Sequence, residues 1–357
     1  MERILFFVPN LFSGGTETFI MNMYRNIDRT KYQFDFAVHT NKKGVFEEEI
    51  EKLGGRIFRF SIKDDKNFIR YGKELNSFFD NHKEYKIVHS CMPSIAWIYL
   101  KIAKKHGVNV RIAHSHSAGF DHNFRGILKH INTMFIKNYS NLNLACSNLA
   151  GKYMFGNKDF TVVHNAIDIN KYVYNGESRN DIRNRLGLDD KIVIGHVGRI
   201  SKEKNHLFMI ELMKRLPNKY VLLCVGSGPD QGKIQKIINE ENLSNRIILV
   251  GNKLDAYKYY SAFDLFILPS LYEGLPTVAV EAQVSGLKCL LSSNITDEVN
   301  INGDVKFIEL DIEKWKSNIL KMNIERNKAD LLSFKSYDIK YEAKVLEKIY
   351  ESALGDK

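Results

Sequence analysis

The chain has 357 residues, room for about two domains, and its 44% hydrophobic and 26% charged residues are an ordinary globular balance; a long disordered tail, a collagen-like repeat and a disulfide miniprotein are excluded. Lys plus Arg number 52 against 42 Asp plus Glu, a formal net charge of +10, which favours an anionic partner: nucleic acid, a membrane surface or a phosphorylated substrate. The excess is lopsided, with 24 basic and 16 acidic residues in 1–170 and 28 and 26 in the remainder.

In chain order, short β-rich apolar runs predict strands at Ile4–Val8, Phe34–Val38, Arg56–Phe60, Ile87–His89, Val110–His114, Leu142–Cys146 and Thr161–Val163. Stretches between them, such as Thr16–Asn26 and Ile95–Lys105, carry apolar residues at helical spacing. A polar stretch, Tyr174–Asp181, reads as a connector followed by a short helix. The pattern then restarts with Ile192–Val197, Tyr220–Val225, Arg246–Val250, Leu265–Leu268, Lys288–Ser292 and Val305–Ile308, and closes on an amphipathic helix over Tyr337–Leu354. Strand–helix alternation of this kind predicts α/β domains with doubly wound parallel sheets. The expected division is 1–172, with the helix at 335–357 crossing back to it, and 173–334. Two such domains imply a cleft, with ligands outside the carboxyl ends of the strands.

The N-terminal apolar run meets Pro9 too soon for a signal peptide, and no run approaches the roughly 20 residues needed to span a bilayer. The expectation is a cytoplasmic protein, at most peripheral on the inner face of the membrane. Cys91, Cys146, Cys224 and Cys289 sit at or beside apolar runs, and no Cys-x-x-Cys pair suggests a thiolate metal site; buried free thiols are expected.

Three loops at strand ends carry chemistry. Gly14-Gly15-Thr16-Glu17 opens the first helix, where backbone N–H groups can meet an anion; the plain alternative is a tight turn. Arg199 and Lys204 flank a loop after Ile192–Val197 and suit a diphosphate, the alternative being a solvated basic loop. Glu273 lies in the loop after Leu265–Leu268, and Glu281 follows eight positions later in the helix that loop opens. The N–H groups of Gly274, Leu275 and Thr277 can face an anion, while the two carboxylates suit sugar and ribose hydroxyls. Small and apolar neighbours at 278–282 make Glu281 look embedded, and a buried carboxylate needs a ligand or a partner.

Together these segments resemble the retaining GT-B glycosyltransferases of family 4, especially bacterial capsular and exopolysaccharide members. Arg111–Ser117, Ala145-Cys146-Ser147, Phe155-Gly156, Val163–Asp168 and Gly286–Ser292 extend the resemblance along nearly the whole chain. It implies two Rossmann-like domains facing a central cleft and a nucleotide-sugar donor, UDP-linked by expectation, although the residues leave GDP and ADP open. Arg199 and Lys204 would neutralise the diphosphate, Glu273 would contact the transferred sugar and Glu281 the ribose. Gly14 and Gly15 would lie against the donor phosphates. Asn252, Lys253 and Leu254 would read the base mainly by backbone, and His116 would sit by the reacting centre, with His114 as its competitor. No Asp-x-Asp occurs, and no metal or other cofactor is expected.

Two departures touch the donor geometry: Pro276, which has no N–H, and His164-Asn165-Ala166, where the family often has Pro-Asn-Gly. The acceptor implied is a saccharide or polyprenyl-linked saccharide. An interfacial helix over Phe124–Lys137 would suit an anionic membrane, and a solvated helix is the alternative. The rival functions are a sugar-nucleotide epimerase of the same architecture and a non-catalytic anion- or nucleic-acid-binding protein. Aromatics are not interleaved with basic runs, so no nucleic acid is expected.

Overall fold

The structure, a computed structural model, describes residues 1–12, 14–60, 62, 67–92, 95–116 and 132–355. The strands are β1 (Glu2–Val8), β2 (Tyr32–Val38), β3 (Ile57–Arg59), β4 (Ile87–Ser90), β5 (Val110–Ser115), β6 (Leu142–Ala145), β7 (Thr161–Val162), β8 (Ile192–Val197), β9 (Tyr220–Val225), β10 (Ile247–Leu249), β11 (Leu265–Leu268), β12 (Cys289–Ser292) and β13 (Val305–Ile308). Their ends differ from the predicted ones by two residues at most. They form a seven-stranded sheet ordered β3-β2-β1-β4-β5-β6-β7 and a six-stranded sheet ordered β10-β9-β8-β11-β12-β13. Every pairing is parallel, with β1 and β8 near the middle of their sheets and the order reversing beside each. This is the doubly wound pattern expected.

Local chemistry accounts for the elements. β9, Tyr-Val-Leu-Leu-Cys-Val, is buried at every position because helices cover both sheet faces, so alternation gives way to a continuous apolar run. The stretch from Tyr174 departs from expectation: the connector is itself helical. The Asn175 side chain accepts from the Ser178 N–H and starts a helix at Gly176–Leu186, and Gly187 ends it in the left-handed conformation at φ 65°. Helix Thr277–Val284 buries Ala279, Val280, Ala282, Gln283 and Val284, which accounts for its lack of a polar face.

The chain divides into two units: Met1–Ala166 with Ile339–Lys357, and Ile167–Asp338. The sequence places these limits at 172/173 and 334/335. The physical marker is a tie within the second unit: the Ile167 N–H donates to the Tyr337 carbonyl at 2.9 Å, and Ile167 bridges Asp338. The first unit has its own core, where Phe6, Phe34 and Phe36 meet Phe19 and Tyr24 and the helix Ile339–Gly355 adds Ile339, Ala343, Leu346 and Tyr350. The second packs Ile194, Leu222, Ile267 and Leu290 against Met209, Met213, Trp315 and Ile319. All four cysteines are buried, and none forms a disulfide among the described residues. Among the described residues no helix is long and apolar enough to cross a membrane. Most of the interfacial helix expected at Phe124–Lys137 lies outside the described residues.

Candidate active site

In the second unit the site is built at the carboxyl ends of β8, β9, β10 and β11. Their backbones crowd: Gly226 donates to the Gly251 carbonyl at 2.8 Å, and a Cβ on Gly226 would lie 2.1 Å from the Gly198 oxygen. Gly226 also sits at φ +134°, so glycine is required there. The loop after β8 turns through Lys202–Lys204, and Asn205 takes the left-handed conformation before helix His206–Arg215. The loop after β11 is stitched to it. The Leu271 N–H donates to the Glu203 carbonyl at 2.8 Å, and Lys204 Nζ donates to Glu273 Oε1 at 2.5 Å. Ser270 Oγ donates to the same Glu273 oxygen at 2.7 Å. Lys204 and Glu273 side chains are each 14% exposed, so this pair is shielded yet reachable. Arg199 is exposed on the Lys204 loop, with no ion pair among the described residues.

Glu281 lies in helix Thr277–Val284 and retains partial exposure. Its Oε2 accepts from the Tyr260 hydroxyl at 2.5 Å, and the Tyr172 and Thr277 hydroxyls lie near enough to favour its ionised form. Burial pushes this carboxyl up to about 7, against the pull of Tyr260, Tyr172, Thr277 and the Lys204 charge, which all favour the ionised form. The partner demanded by an embedded carboxylate is thus met inside the protein by Tyr260, with Tyr172 and Thr277 beside it.

Of the other expected donor contacts, Gly274 is half-buried, Leu275 is buried, and Thr277 is the first residue of the helix. Pro276 caps that helix at φ −75°, the position where a missing N–H costs nothing to the helix. Asn252, Lys253 and Leu254 are exposed between β10 and helix Ala256–Ala262. Beneath the Lys204 loop, His196 and His206 pack edge to face at 5.0 Å. His206 has neither ring nitrogen bonded; burial, then the Lys204 charge, lowers it to about 4, and it is neutral at pH 7.

In the first unit, Gly14 precedes helix Gly15–Asn26. Its lack of a side chain serves Glu17, whose Oε2 would lie 2.4 Å from a Cβ there, whereas a Cβ on Gly15 would meet nothing within 4 Å. Only Gly15 therefore leaves open room for a ligand; Gly14 is used by the protein. His114 is fully buried in β5 and His116 lies just beyond that strand, partly exposed. His116 Nδ1 bonds Asn165 Oδ1 at 3.1 Å, which assigns the ring proton to Nδ1, and its buried Nε2 has no partner among the described residues. Burial lowers His116 to about 4, so it is neutral at pH 7.

His114 is engaged otherwise. His89 Nε2 and His114 Nδ1 are 3.0 Å apart, and His89 Nδ1 meets the Tyr350 hydroxyl at 2.8 Å. With Cys91 these two histidines bring three potential metal-ligating atoms within 4.8 Å of one another, a cluster that a search for Cys-x-x-Cys cannot find. His89 Nε2 and His114 Nδ1 are spent on each other and His89 Nδ1 on Tyr350, while His114 Nε2 is buried without a partner among the described residues.

The structure thus brings Lys204 and Glu273 into contact, sets Glu281 within reach of the Lys204 charge, and puts Arg199 on the same loop as Lys204. Sequence reading missed Tyr172, Tyr260, Ser270 and Asn165. The one available signal was the unmet carboxylate of Glu281, which requires hydroxyl or N–H donors somewhere.

Comparison with known proteins agrees with this fold. The model described as Glycosyltransferase Family 4 matches residues 13–171, and the one described as Glycosyl transferases group 1 matches 178–325. EpsF of Bacillus subtilis (strain 168), which carries a glycosyltransferase name, is 33% identical over 84% of this chain and 81% of its own length. The capsular polysaccharide biosynthesis glycosyltransferase CapH of Staphylococcus aureus is 25% identical over 99% of both. The structure of HepE from Anabaena, solved in complex with UDP-glucose, matches with a TM-score of 0.83 at 17% identity, covering 99% of this chain and 100% of that one, a likeness of fold. With two parallel-sheet domains, the two family models and a relative 33% identical over 84% of the chain, the chain is a glycosyltransferase of the GT-B fold and belongs to glycosyltransferase family 4.

Proposed function

We propose that the chain moves a sugar from a nucleotide-diphosphate donor, UDP-linked, to a saccharide or polyprenyl-linked saccharide acceptor, with retention of configuration and without a metal, in capsule or exopolysaccharide biosynthesis. The observation that carries this reading is the contact of Lys204 with Glu273 across two strand-end loops, beside the embedded Glu281. Charge grows on the leaving diphosphate as the anomeric bond breaks. Arg199, Lys204 and the N–H groups near Thr277 are fixed positive groups that stabilise that charge more in the transition state than in the ground state. Glu273 receives hydroxyls of the transferred sugar and Glu281 those of the ribose. Asn252, Lys253 and Leu254 frame the base. Gly15 leaves room for phosphate, and neutral His116 is the candidate beside the transferred sugar.

The names of relatives support the substrate class. CapH is named for capsular polysaccharide biosynthesis, and an Escherichia coli relative, 32% identical over 40% of this chain, is named UDP-Gal:alpha-D-GlcNAc-diphosphoundecaprenol alpha-1,3-galactosyltransferase. The basic excess of residues 1–170 supports contact with an anionic membrane surface.

The test is nucleotide release across UDP-, GDP- and ADP-sugars, with and without polyprenyl-diphosphate saccharides, followed by NMR of the product anomer. Acceptor-dependent release from a UDP-sugar, unchanged by EDTA and with the donor's anomeric configuration kept, is expected. Free sugar released without acceptor overturns transfer, an inverted product overturns retention, and loss with EDTA overturns metal independence. Flotation with anionic liposomes at low salt checks the membrane contact, and absence of binding overturns it.

A further inference from the structure

Glu281 is held by residues outside its own loop and helix. Tyr172 comes from helix Ile169–Tyr172 and Tyr260 from helix Ala256–Ala262. Their rings meet edge to face at 5.6 Å, and Tyr260 is wedged between Phe263 at 5.7 Å and Phe266 at 6.0 Å. Tyr260 is fully buried, so its phenol cannot swing away from the carboxylate. A phenylalanine would pack equally well at either place; the Tyr260 hydroxyl adds a donor to the carboxylate and the Tyr172 hydroxyl a second polar group beside it.

We infer that Tyr172 and Tyr260 are positioning residues that orient the Glu281 carboxylate to receive the ribose diol of the donor nucleotide. The inference rests on the ribose role proposed for Glu281. A carboxylate has about four acceptor directions. Tyr260 occupies one of them and, with Tyr172 and Thr277 beside the group, restrains the carboxyl from the protein side, and remaining directions are left for two hydroxyl donors on adjacent carbons. A diol of that kind needs the ionised carboxylate as acceptor. The phenols therefore act twice: they set direction, and they hold charge on a group that burial pushes toward neutrality. The titratable and charged groups around it are Tyr172, Tyr260 and Lys204, with Asp168 beside Tyr172 and Cys289 beside Tyr260. Among these groups Lys204 brings the positive charge.

The experiment measures the dissociation constants of UDP, GDP and ADP and of their 2′-deoxy counterparts, across pH 5.5–8.5, for the wild-type protein and for Tyr172→Phe, Tyr260→Phe and Glu281→Gln. Thermal melts establish that each variant is folded. The wild type is expected to prefer the ribose form of its best nucleotide by about tenfold or more, and to bind it more tightly as pH rises through 7. Each Tyr→Phe change is expected to cut that preference to about threefold or less and to move the pH midpoint upward, because the ionised carboxylate loses a hydroxyl that favours it. A loss of packing alone would weaken ribose and deoxyribose forms together and leave the midpoint in place. If the wild type does not discriminate, or binds none of the three nucleotides, the ribose role of Glu281 falls and the inference with it. If the wild type discriminates and Glu281→Gln does not, but both tyrosine variants keep the wild-type ratio and midpoint, the positioning role alone is overturned.

Discussion

At Glu281 burial and hydrogen bonding oppose each other, and the outcome is measurable in folding. The carboxyl is raised from 4.5 to about 7, so between those values the folded chain holds a proton that the unfolded chain has released. Stability therefore falls as pH rises from 4.5 toward 7. Compared with Glu281→Gln, the wild type should lose on the order of 2 kcal/mol between pH 4.5 and 7.5, after discounting for its partial exposure. Urea midpoints at the two pH values decide this, and parallel changes in both proteins would sink it. The basic pair is a matter of rate. Lys204→Ala removes a cation and strands the Glu273 carboxylate, while Arg199→Ala removes an exposed group with no partner among the described residues. Each should lower turnover by about 10²–10³-fold. Arg199→Ala should leave the melting temperature unchanged, so steady-state kinetics beside thermal melts separate catalysis from folding. That Lys204 and Glu273 come together was legible in the sequence because both follow strand ends. The groups around Glu281 were not: Tyr260 and Tyr172 stand 21 and 109 positions before it, in helices whose pattern reads only as core.

Glycines show the same contrast between elements that face a ligand and elements that face the protein. Gly226→Ala would place a methyl against the Gly198 carbonyl in a strained conformation, and should destabilise by about 2 kcal/mol or more, seen as a lower urea midpoint. Gly15→Ala meets open space. Its stability should stay within about 0.5 kcal/mol of wild type, while donor turnover falls if phosphate passes there. An unchanged rate would remove Gly15 from the site. Strands were legible almost to the residue, because buried parallel strands are short apolar runs bounded by polar ends. The helix at Gly176–Leu186 was misread in part. Its polar, charged sequence lacks an apolar stripe, and it is fixed by the Asn175 cap and by Arg179 and Arg183, which both pair with Asp264. No periodicity announces a helix held by its caps and its ion pairs.

At the scale of the whole molecule, two separate cores predict separable damage. Leu346→Ala, in helix Ile339–Gly355, should cost about 2–5 kcal/mol in the first unit. Amide exchange should quicken in 1–166 and stay unchanged in 167–338; uniform quickening would mean that the cores are not independent. The existence of two domains was legible from the restart of the strand pattern. Their limits, 166/167 and 338/339, depend on the backbone tie of Ile167 to Tyr337 and Asp338, which pairs residues too far apart in sequence for a local pattern to reveal.

Because residues 339–357 complete the first unit, its hydrophobic centre stays unfinished while 167–338 are being translated. The ribosome makes this unit's opening segment early and supplies Ile339, Ala343, Leu346 and Tyr350 only after the entire intervening domain. A nascent chain halted near Asp338 would thus display the apolar seat of that helix uncovered, a natural hold point for chaperones.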